Sequence, residues 1–142
     1  WDALDYIGIS AYYPLSDAST PNVYYLKYKW GFVKKKLKKF SVKNNRPILF
    51  TEYGYLSVDG CAYKTWELEK KRKILNANQK AQANALEALY STFWDEDWWA
   101  GGFLWKWYPN GQAQEGRKEK DYTPQNKMSE NTIKKWYQKS TM

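Results

Sequence analysis

The ten residues Arg46-Pro47-Ile48-Leu49-Phe50-Thr51-Glu52-Tyr53-Gly54-Tyr55 decide how the rest of the chain is arranged. Their apolar core lies between Pro47 and Gly54, which leaves too few residues for a helix and therefore predicts a strand. A continuous apolar run is typical of a strand that is covered on both faces, as in a parallel sheet. We therefore predict an α/β fold in which this strand is buried.

A glutamate, Glu52, ends this strand. Burial of an unpaired carboxylate is unfavourable, so a carboxylate in this position indicates that its charge is used. In parallel α/β folds the carboxyl ends of the strands are where active sites are built. Glu52 is therefore a candidate catalytic residue, and the alternative is a buried ion pair with a lysine or an arginine.

Another strand is predicted over residues 5–14, because side chains of two kinds alternate there. One side carries Ile7, Ile9 and Ala11, and the other carries Tyr6, Gly8, Ser10 and Tyr12. Small residues on the second side fit the crowded interior of a barrel, with the isoleucines packing outward against helices.

An amphipathic helix is predicted between these two strands. It would begin at Thr20-Pro21, a capping residue followed by proline, and end at Asn44-Asn45. Its apolar positions recur at steps of three and four residues: Val23, Leu26, Trp30, Val33, Leu37 and Phe40. Together the three elements make a βαβ unit, which is parallel and right-handed within one sheet.

The rest of the chain continues this alternation. We predict a helix over residues 76–94, a third strand over 101–107, a polar loop over 111–123 and a last short helix capped by Ser129. Three strands cannot close a barrel and would leave parallel edges bare. Residues 1–142 are therefore predicted to be the C-terminal part of a single (β/α)8 barrel domain, containing its last three β/α units.

The segment 55–75 shows no convincing periodicity and is predicted to be a long loop. Because it leaves the carboxyl end of the Glu52 strand, it would lie beside the candidate site. Trp66 is a candidate for stacking on a ligand there, and ordinary loop packing is the favoured alternative.

Composition excludes several kinds of site. The chain has no histidine and one cysteine, Cys61, so an internal disulfide is impossible. A metal centre or a histidine-based triad would lack ligands or a base. We predict no metal, no cofactor and a passive Cys61 thiol, with acid/base chemistry left to carboxylates, tyrosine or lysine.

The net charge of +8 invites a nucleic-acid interpretation, but the charge is clustered. Much of it lies in residues 34–39 and 70–73, which we interpret as solvated faces rather than a phosphate-binding stripe.

Nine Trp and thirteen Tyr suit a site that stacks on sugar rings, although a large aromatic core would have the same composition. No stretch has the roughly 18 apolar residues of a membrane span. Because the positive charge is clustered on faces that we interpret as solvated, we expect no nucleic-acid partner.

The sequence begins at Trp1 without an initiator methionine. We expect the natural N-terminus, with any export signal or lipid anchor, to lie upstream. Localisation therefore stays open, and export to the cell envelope or the extracellular space is one possibility.

Three segments in this order resemble strands six, seven and eight of clan A glycoside hydrolases, most closely family 113, the β-mannanase-like barrels. They are Asp5–Leu15, Pro47–Tyr55 and Gly102–Trp107, and the likeness continues through Asp121–Pro124 to Lys127. The resemblance covers essentially the whole chain.

This resemblance implies a retaining mechanism with Glu52 as the nucleophile, which forms a covalent glycosyl-enzyme intermediate. It also implies a tyrosine that orients the nucleophile, Tyr12 or alternatively Tyr13. Trp105 would form the floor under the sugar at the cleavage point, with core packing as the alternative. Trp107 is a further substrate-binding candidate, for which core packing is favoured.

In the resembling family the acid/base glutamate belongs to an Asn-Glu pair at the end of strand four, and no such pair occurs here in a strand context. The expected substrate is a β-linked oligosaccharide or polysaccharide, β-1,4-mannan or a relative of it. The chain alone is expected to be inactive. The alternative is a barrel that has lost catalysis and binds glycan or protein.

Overall fold

In a computed structural model of the protein, which describes residues 2–109 and 120–139, helices alternate with parallel strands. The elements are β1 (Ile7–Ser10), α1 (Val23–Asn44), β2 (Ile48–Tyr53), α2 (Thr65–Lys71), α3 (Gln79–Phe93), β3 (Trp99–Leu104) and α4 (Met128–Lys139). The strands form one sheet in the order β1-β2-β3, and both pairs are parallel. The predicted α/β class and the alternation of parallel strands with helices are confirmed, and α2 is an additional helix between β2 and α3.

The core lies between the sheet and the helices α1 and α3. At its centre Trp30, Phe50 and Phe93 are fully buried, with the Phe93 ring 5.2 Å from Trp30 and 5.1 Å from Phe50. Burial of each such side chain contributes about 1.5 to 3 kcal/mol. Leu26 and Leu37 are also buried on α1, which confirms the apolar stripe expected there.

The opposite face of the sheet carries exposed side chains in the described part of the chain. Gly8 and Ser10 of β1, Thr51 of β2 and Phe103 of β3 are exposed, Phe103 to 65%. From its small residues, this face was predicted to lie in the interior of a barrel. Three strands leave it open, because they form only an arc of a closed sheet.

Helix α1 begins two residues later than predicted. The Asn22 side chain accepts a hydrogen bond from the Tyr25 amide at 2.8 Å and caps the helix, so Thr20-Pro21 is not its start. Asparagine is as good a capping residue as any and outweighs the preference for proline in the first turn. The end is as expected, since Asn45 adopts the left-handed conformation with φ 48°.

Helices α3 and α4 also begin elsewhere than predicted. Asn78 caps α3 by accepting from the Ala81 amide at 2.9 Å, so Asn76 lies outside the helix. Ser129 lies inside the first turn of α4 and donates to Gln82 Oε1 at 2.7 Å. It therefore ties α4 to α3 and does not cap the helix.

The expectation of an unstructured loop over residues 55–75 was wrong, because the segment contains α2 and a 3-10 turn, Arg72–Ile74. Seven mostly polar residues with only Thr65 buried are too few to show helical periodicity. The third strand ends at Leu104, three residues earlier than predicted. Residues 110–119, which include most of the predicted polar loop, lie outside the described residues.

Within residues 2–109 and 120–139, no helix combines the length and the apolar character needed to cross a membrane. The same ranges contain no cluster of three or more His, Cys, Asp or Glu side chains suited to holding a metal ion.

Candidate active site

An irregularity in β2 aims Glu52 into a cavity. Ile9 of β1 pairs with Phe50, but the next residue, Ser10, pairs with Glu52, so one extra residue is inserted in β2. Such bulges redirect the side chains that follow them. Tyr53 consequently faces the helices, where it is buried and its hydroxyl lies 2.9 Å from that of Tyr90. Glu52, half-buried, faces the cavity at the carboxyl end of the sheet.

The Tyr12 hydroxyl donates a hydrogen bond to Glu52 Oε1. The backbone supports this contact, because the Ala11 amide donates to the Glu52 carbonyl at 2.7 Å. Burial, and then the adjoining Glu52 carboxylate, raise the pKa of Tyr12 well above its ordinary value. The phenol therefore stays protonated at neutral pH and remains a hydrogen-bond donor.

Tyr13, the alternative to Tyr12, points elsewhere. Its ring meets the buried Trp30 edge-on at 5.5 Å between centroids. The structure thus brings Tyr12 to Glu52 and leaves Tyr13 against the core. In the described part of the chain, no lysine or arginine forms an ion pair with Glu52, so the ion-pair alternative finds no support there.

Trp105 follows β3 and reaches the same end of the sheet. Its amide donates to the Tyr53 carbonyl at 2.7 Å, and the Trp105–Lys106 peptide is cis. The close approach needs a glycine at position 54, because a Cβ on Gly54 would lie 2.0 Å from the Trp105 carbonyl oxygen. Trp105 is 45% exposed and lines the cavity, so it does not pack in the core.

The cavity has a volume of about 560 Å³. That lies within the range of roughly 300 to 1,000 Å³ that is usual for ligand sites. Four residues singled out from the sequence line it: Tyr12, Glu52, Trp66 and Trp105. Trp107 is not part of this lining, and at 52% exposure it is not packed in the core either.

Sequence reasoning missed several residues that line the same cavity. They are Thr65, Glu69, Lys70, Arg72, Lys106 and Tyr122. Tyr122 belongs to the segment Asp121–Pro124 that contributed to the family resemblance, and this was the only hint available. Lys70 and Arg72 lie in a basic run that we had interpreted as a solvated face. They are indeed not fully buried, but they border the cavity.

A buried polar network holds the segment that carries Tyr122. Gln82, fully buried on α3, donates to the carbonyl oxygens of Tyr55 at 2.9 Å and Tyr122 at 3.2 Å. Lys127, whose side chain is fully buried, forms an ion pair of 2.5 Å with Asp121. Burial, and then a hydrogen bond to the Glu69 carboxylate, raise the pKa of Tyr122. Tyr122 thus enters the site as a neutral phenol.

Taken together, the cavity holds a carboxylate aimed by a neutral phenol beside an exposed indole ring. A carboxylate in this setting can act as a nucleophile towards a carbon electrophile. The indole offers a flat apolar surface on which a sugar ring can stack. Cys61 takes no part, since it is fully buried, is not in the cavity lining, and burial raises the pKa of its thiol.

Comparison with known proteins gives a consistent result. The family model described as Glycoside Hydrolase Family 113 matches residues 1–127. A solved structure titled as a complex of a GH113 β-1,4-mannanase is 26% identical, with a TM-score of 0.73. The GH113 β-mannanase AaManA from Alicyclobacillus acidocaldarius, in complex with ManMIm, is 25% identical, with a TM-score of 0.74.

Each of these structures covers 97% of this chain, whereas the chain spans only 40% of their length. No curated protein matches the sequence. The resemblance to family 113 and the prediction of a partial (β/α)8 barrel are confirmed by these matches.

Proposed function

The chain belongs to glycoside hydrolase family 113, and we propose that it supplies the nucleophile side of the active site of a retaining β-glycosidase. The proposed substrate is β-1,4-mannan or a related β-linked oligosaccharide. Catalysis would require the complete barrel, meaning this chain together with the β/α units that its three strands lack.

The observation that carries this proposal is the hydrogen bond from the Tyr12 hydroxyl to Glu52 Oε1 at the carboxyl end of the sheet. In the proposed mechanism a Glu52 oxygen attacks the anomeric carbon as the glycosidic C–O bond breaks. The leaving oxygen takes a proton from a second carboxylic acid, and a covalent glycosyl-enzyme forms. Water then attacks that intermediate, helped by the same second group acting as a base.

Tyr12 is proposed to orient the nucleophile. A donor bound to one carboxylate oxygen fixes the plane of the group and leaves the other oxygen to attack. Trp105 is proposed to lie under the sugar at the cleavage point, since it lines the cavity with Glu52 and has an exposed ring. Trp107 and Trp66 stay further substrate-binding candidates; only Trp66 lines the cavity.

The acid/base residue is proposed to come from the part of the barrel that this chain does not contain. In a retaining enzyme the two carboxyl groups lie about 5 to 5.5 Å apart. By itself, the chain would then hold only the nucleophile side of the pair, and we propose that it is inactive alone.

The proposal is tested by substituting Glu52→Gln in the complete barrel. We expect kcat/KM for an aryl β-mannoside to fall by at least about 10³-fold, because the amide cannot form the glycosyl ester. Circular dichroism should be unchanged. In the unsubstituted barrel a 2-deoxy-2-fluoro-mannosyl fluoride should attach to the peptide that contains Glu52, as read by mass spectrometry.

Retained activity in the Glu52→Gln variant, or attachment to another residue, would contradict the assignment of the nucleophile. A barrel that binds manno-oligosaccharides in calorimetry without hydrolysing them would instead support the alternative of a glycan-binding protein that has lost catalysis.

A further inference from the structure

Helix α2 lies beside the cavity, on a loop whose two ends are joined by hydrogen bonds. Residues 59–76 leave and re-enter the fold at one place, where Asp59 accepts hydrogen bonds from the side-chain amides of Asn76 at 3.0 Å and Asn78 at 2.6 Å. Val58 and Ala77 form an antiparallel bridge at the same place. Compact loops whose ends are joined are frequently functional. The two ends of the loop that carries α2 are therefore held together.

Only part of α2 packs on the protein. Thr65 is buried and Leu68 packs against the core, which anchors the helix. Trp66 is the largest apolar side chain of α2, yet it is 52% exposed and lines the cavity. Tryptophan is usually well buried in a folded protein, because burial of its large ring is favourable. A half-exposed indole beside a cavity is instead suited to contact with a ligand.

Glu69 and Arg72 line the cavity on the same stretch of chain. They form an ion pair of 3.7 Å, and their side chains are 46% and 43% exposed. A pair this exposed contributes little to stability, so stability does not explain its place at the cavity. Tyr122 lines the same cavity, and the Glu69 carboxylate is one of the groups that raise its pKa.

We propose that Trp66, Glu69 and Arg72 form a sugar-binding subsite that adjoins the cleavage point at Glu52 and Trp105 and takes one further pyranose unit of the glycan. This inference rests on the proposed function. The indole stacks on the apolar face of the ring. The carboxylate accepts a hydrogen bond from one hydroxyl, and the guanidinium donates to its neighbour, which suits a pair of adjacent hydroxyls. The subsite sets the preferred length of the substrate and leaves the chemical step unchanged.

The test compares variants of the complete barrel on manno-oligosaccharides of increasing length. The variants are Glu69→Gln and Arg72→Met. The matched controls on α2 are Glu67→Gln, whose carboxylate pairs with Lys64 at 3.2 Å, and Lys71→Met; neither residue lines the cavity.

We expect the KM of the Glu69 and Arg72 variants to rise about 10-fold to 100-fold for oligosaccharides long enough to fill the subsite, since each variant loses a charged hydrogen-bond partner. The loss of kcat/KM should grow with the length of the oligosaccharide and be smallest for the shortest substrate that is hydrolysed, because that substrate does not reach the subsite. The control variants should match the unsubstituted protein at every length.

A KM that is unchanged at all lengths would overturn the proposal. So would a loss of kcat/KM that is equal at every length, because a further subsite acts only on substrates long enough to reach it. Neither outcome contradicts the proposed function, because that is tested separately by Glu52→Gln. If the unsubstituted barrel hydrolyses nothing, the proposed function fails, and the same length dependence measured by calorimetric binding still decides the subsite.

Discussion

The Tyr12 hydroxyl and the Glu52 carboxylate belong to residues that are 40 positions apart in the sequence. Their contact is made by backbone pairing between β1 and β2, which brings the Ala11 amide to the Glu52 carbonyl. Because burial and the Glu52 charge raise the pKa of Tyr12, the phenol is a donor over the whole neutral range. At the scale of single residues, this pair therefore defines the chemistry that the chain can offer.

Replacement of Tyr12 by phenylalanine in the complete barrel tests the proposed orienting role. We expect kcat for an aryl β-mannoside to fall about 10-fold to 100-fold, because one hydrogen bond to a charged group is lost. The rate of labelling of Glu52 by the fluorinated mannosyl fluoride should fall by a similar factor. Tyr13→Phe is the matched control, because the Tyr13 ring packs on Trp30 and its loss of a hydroxyl should not alter either rate. Equal effects of the two substitutions would refute the role.

At the scale of elements, Glu96 connects helix α1 to the turn before β3. Its carboxylate accepts hydrogen bonds from Lys34 Nζ and from Trp98 Nε1, both at 2.6 Å. Lys38 adds a weaker ion pair at 3.7 Å. The hydrogen bond from Lys34 is the largest cause that lowers the pKa of Glu96, and burial acts in the opposite direction. Through Glu96, the acidic turn of residues 95–97 is thus bound to α1 and to Trp98.

This lowered pKa predicts how stability depends on pH. The stabilisation by Glu96 is fully present above the ordinary pKa of a glutamate, about 4.3, and is lost as the pH falls through the lower pKa of the folded state. We expect Glu96→Gln to lower the free energy of unfolding by about 1 kcal/mol near pH 7. In urea denaturation of the complete barrel, the difference should shrink steadily as the pH is lowered below about 4.3. Asp97→Asn is the control, since Asp97 is exposed, and a deficit that stays constant with pH would contradict the prediction.

At the scale of the whole molecule, the described part of the chain has two kinds of uncovered surface. One is the face of the sheet opposite the helices, with Thr51 and Phe103 exposed. The other is a side of α1 that carries Tyr28 and Phe32, whose rings meet at 5.0 Å while both are more than half exposed. Open parallel edges and exposed aromatic faces of this kind favour association. We expect them to be covered in the complete barrel.

We therefore predict that the 142 residues expressed alone do not hydrolyse aryl β-mannosides and show weak protection of backbone amides from hydrogen exchange. The physical reason is that β1 and β3 each pair with β2 alone in the described structure, so the outer edge of each strand is unpaired. The complete barrel, measured under the same conditions, is the control. Cooperative protection together with turnover in the isolated chain would overturn this prediction.

Local patterns predicted the elements well where they were long. The stripe on α1 was found because its buried residues, such as Trp30 and Leu37, repeat at helical spacing over 22 residues. The short helix α2 was missed, since only Thr65 is buried and its other residues obey no period. Glu69 on this helix and Arg72 directly after it were therefore absent from the predicted site.

The sequence by itself determined the alternation of strands and helices, the position of Glu52 at a strand end and the likeness to family 113, because each depends on residues close together in the chain. Only the tertiary structure decided that a bulge turns Glu52 towards the cavity and that Tyr12 rather than Tyr13 meets it. It also decided that Trp107 lies outside the cavity lining while residues of α2 lie within it. These features depend on strand register and on loop anchoring between distant segments, which no local period encodes.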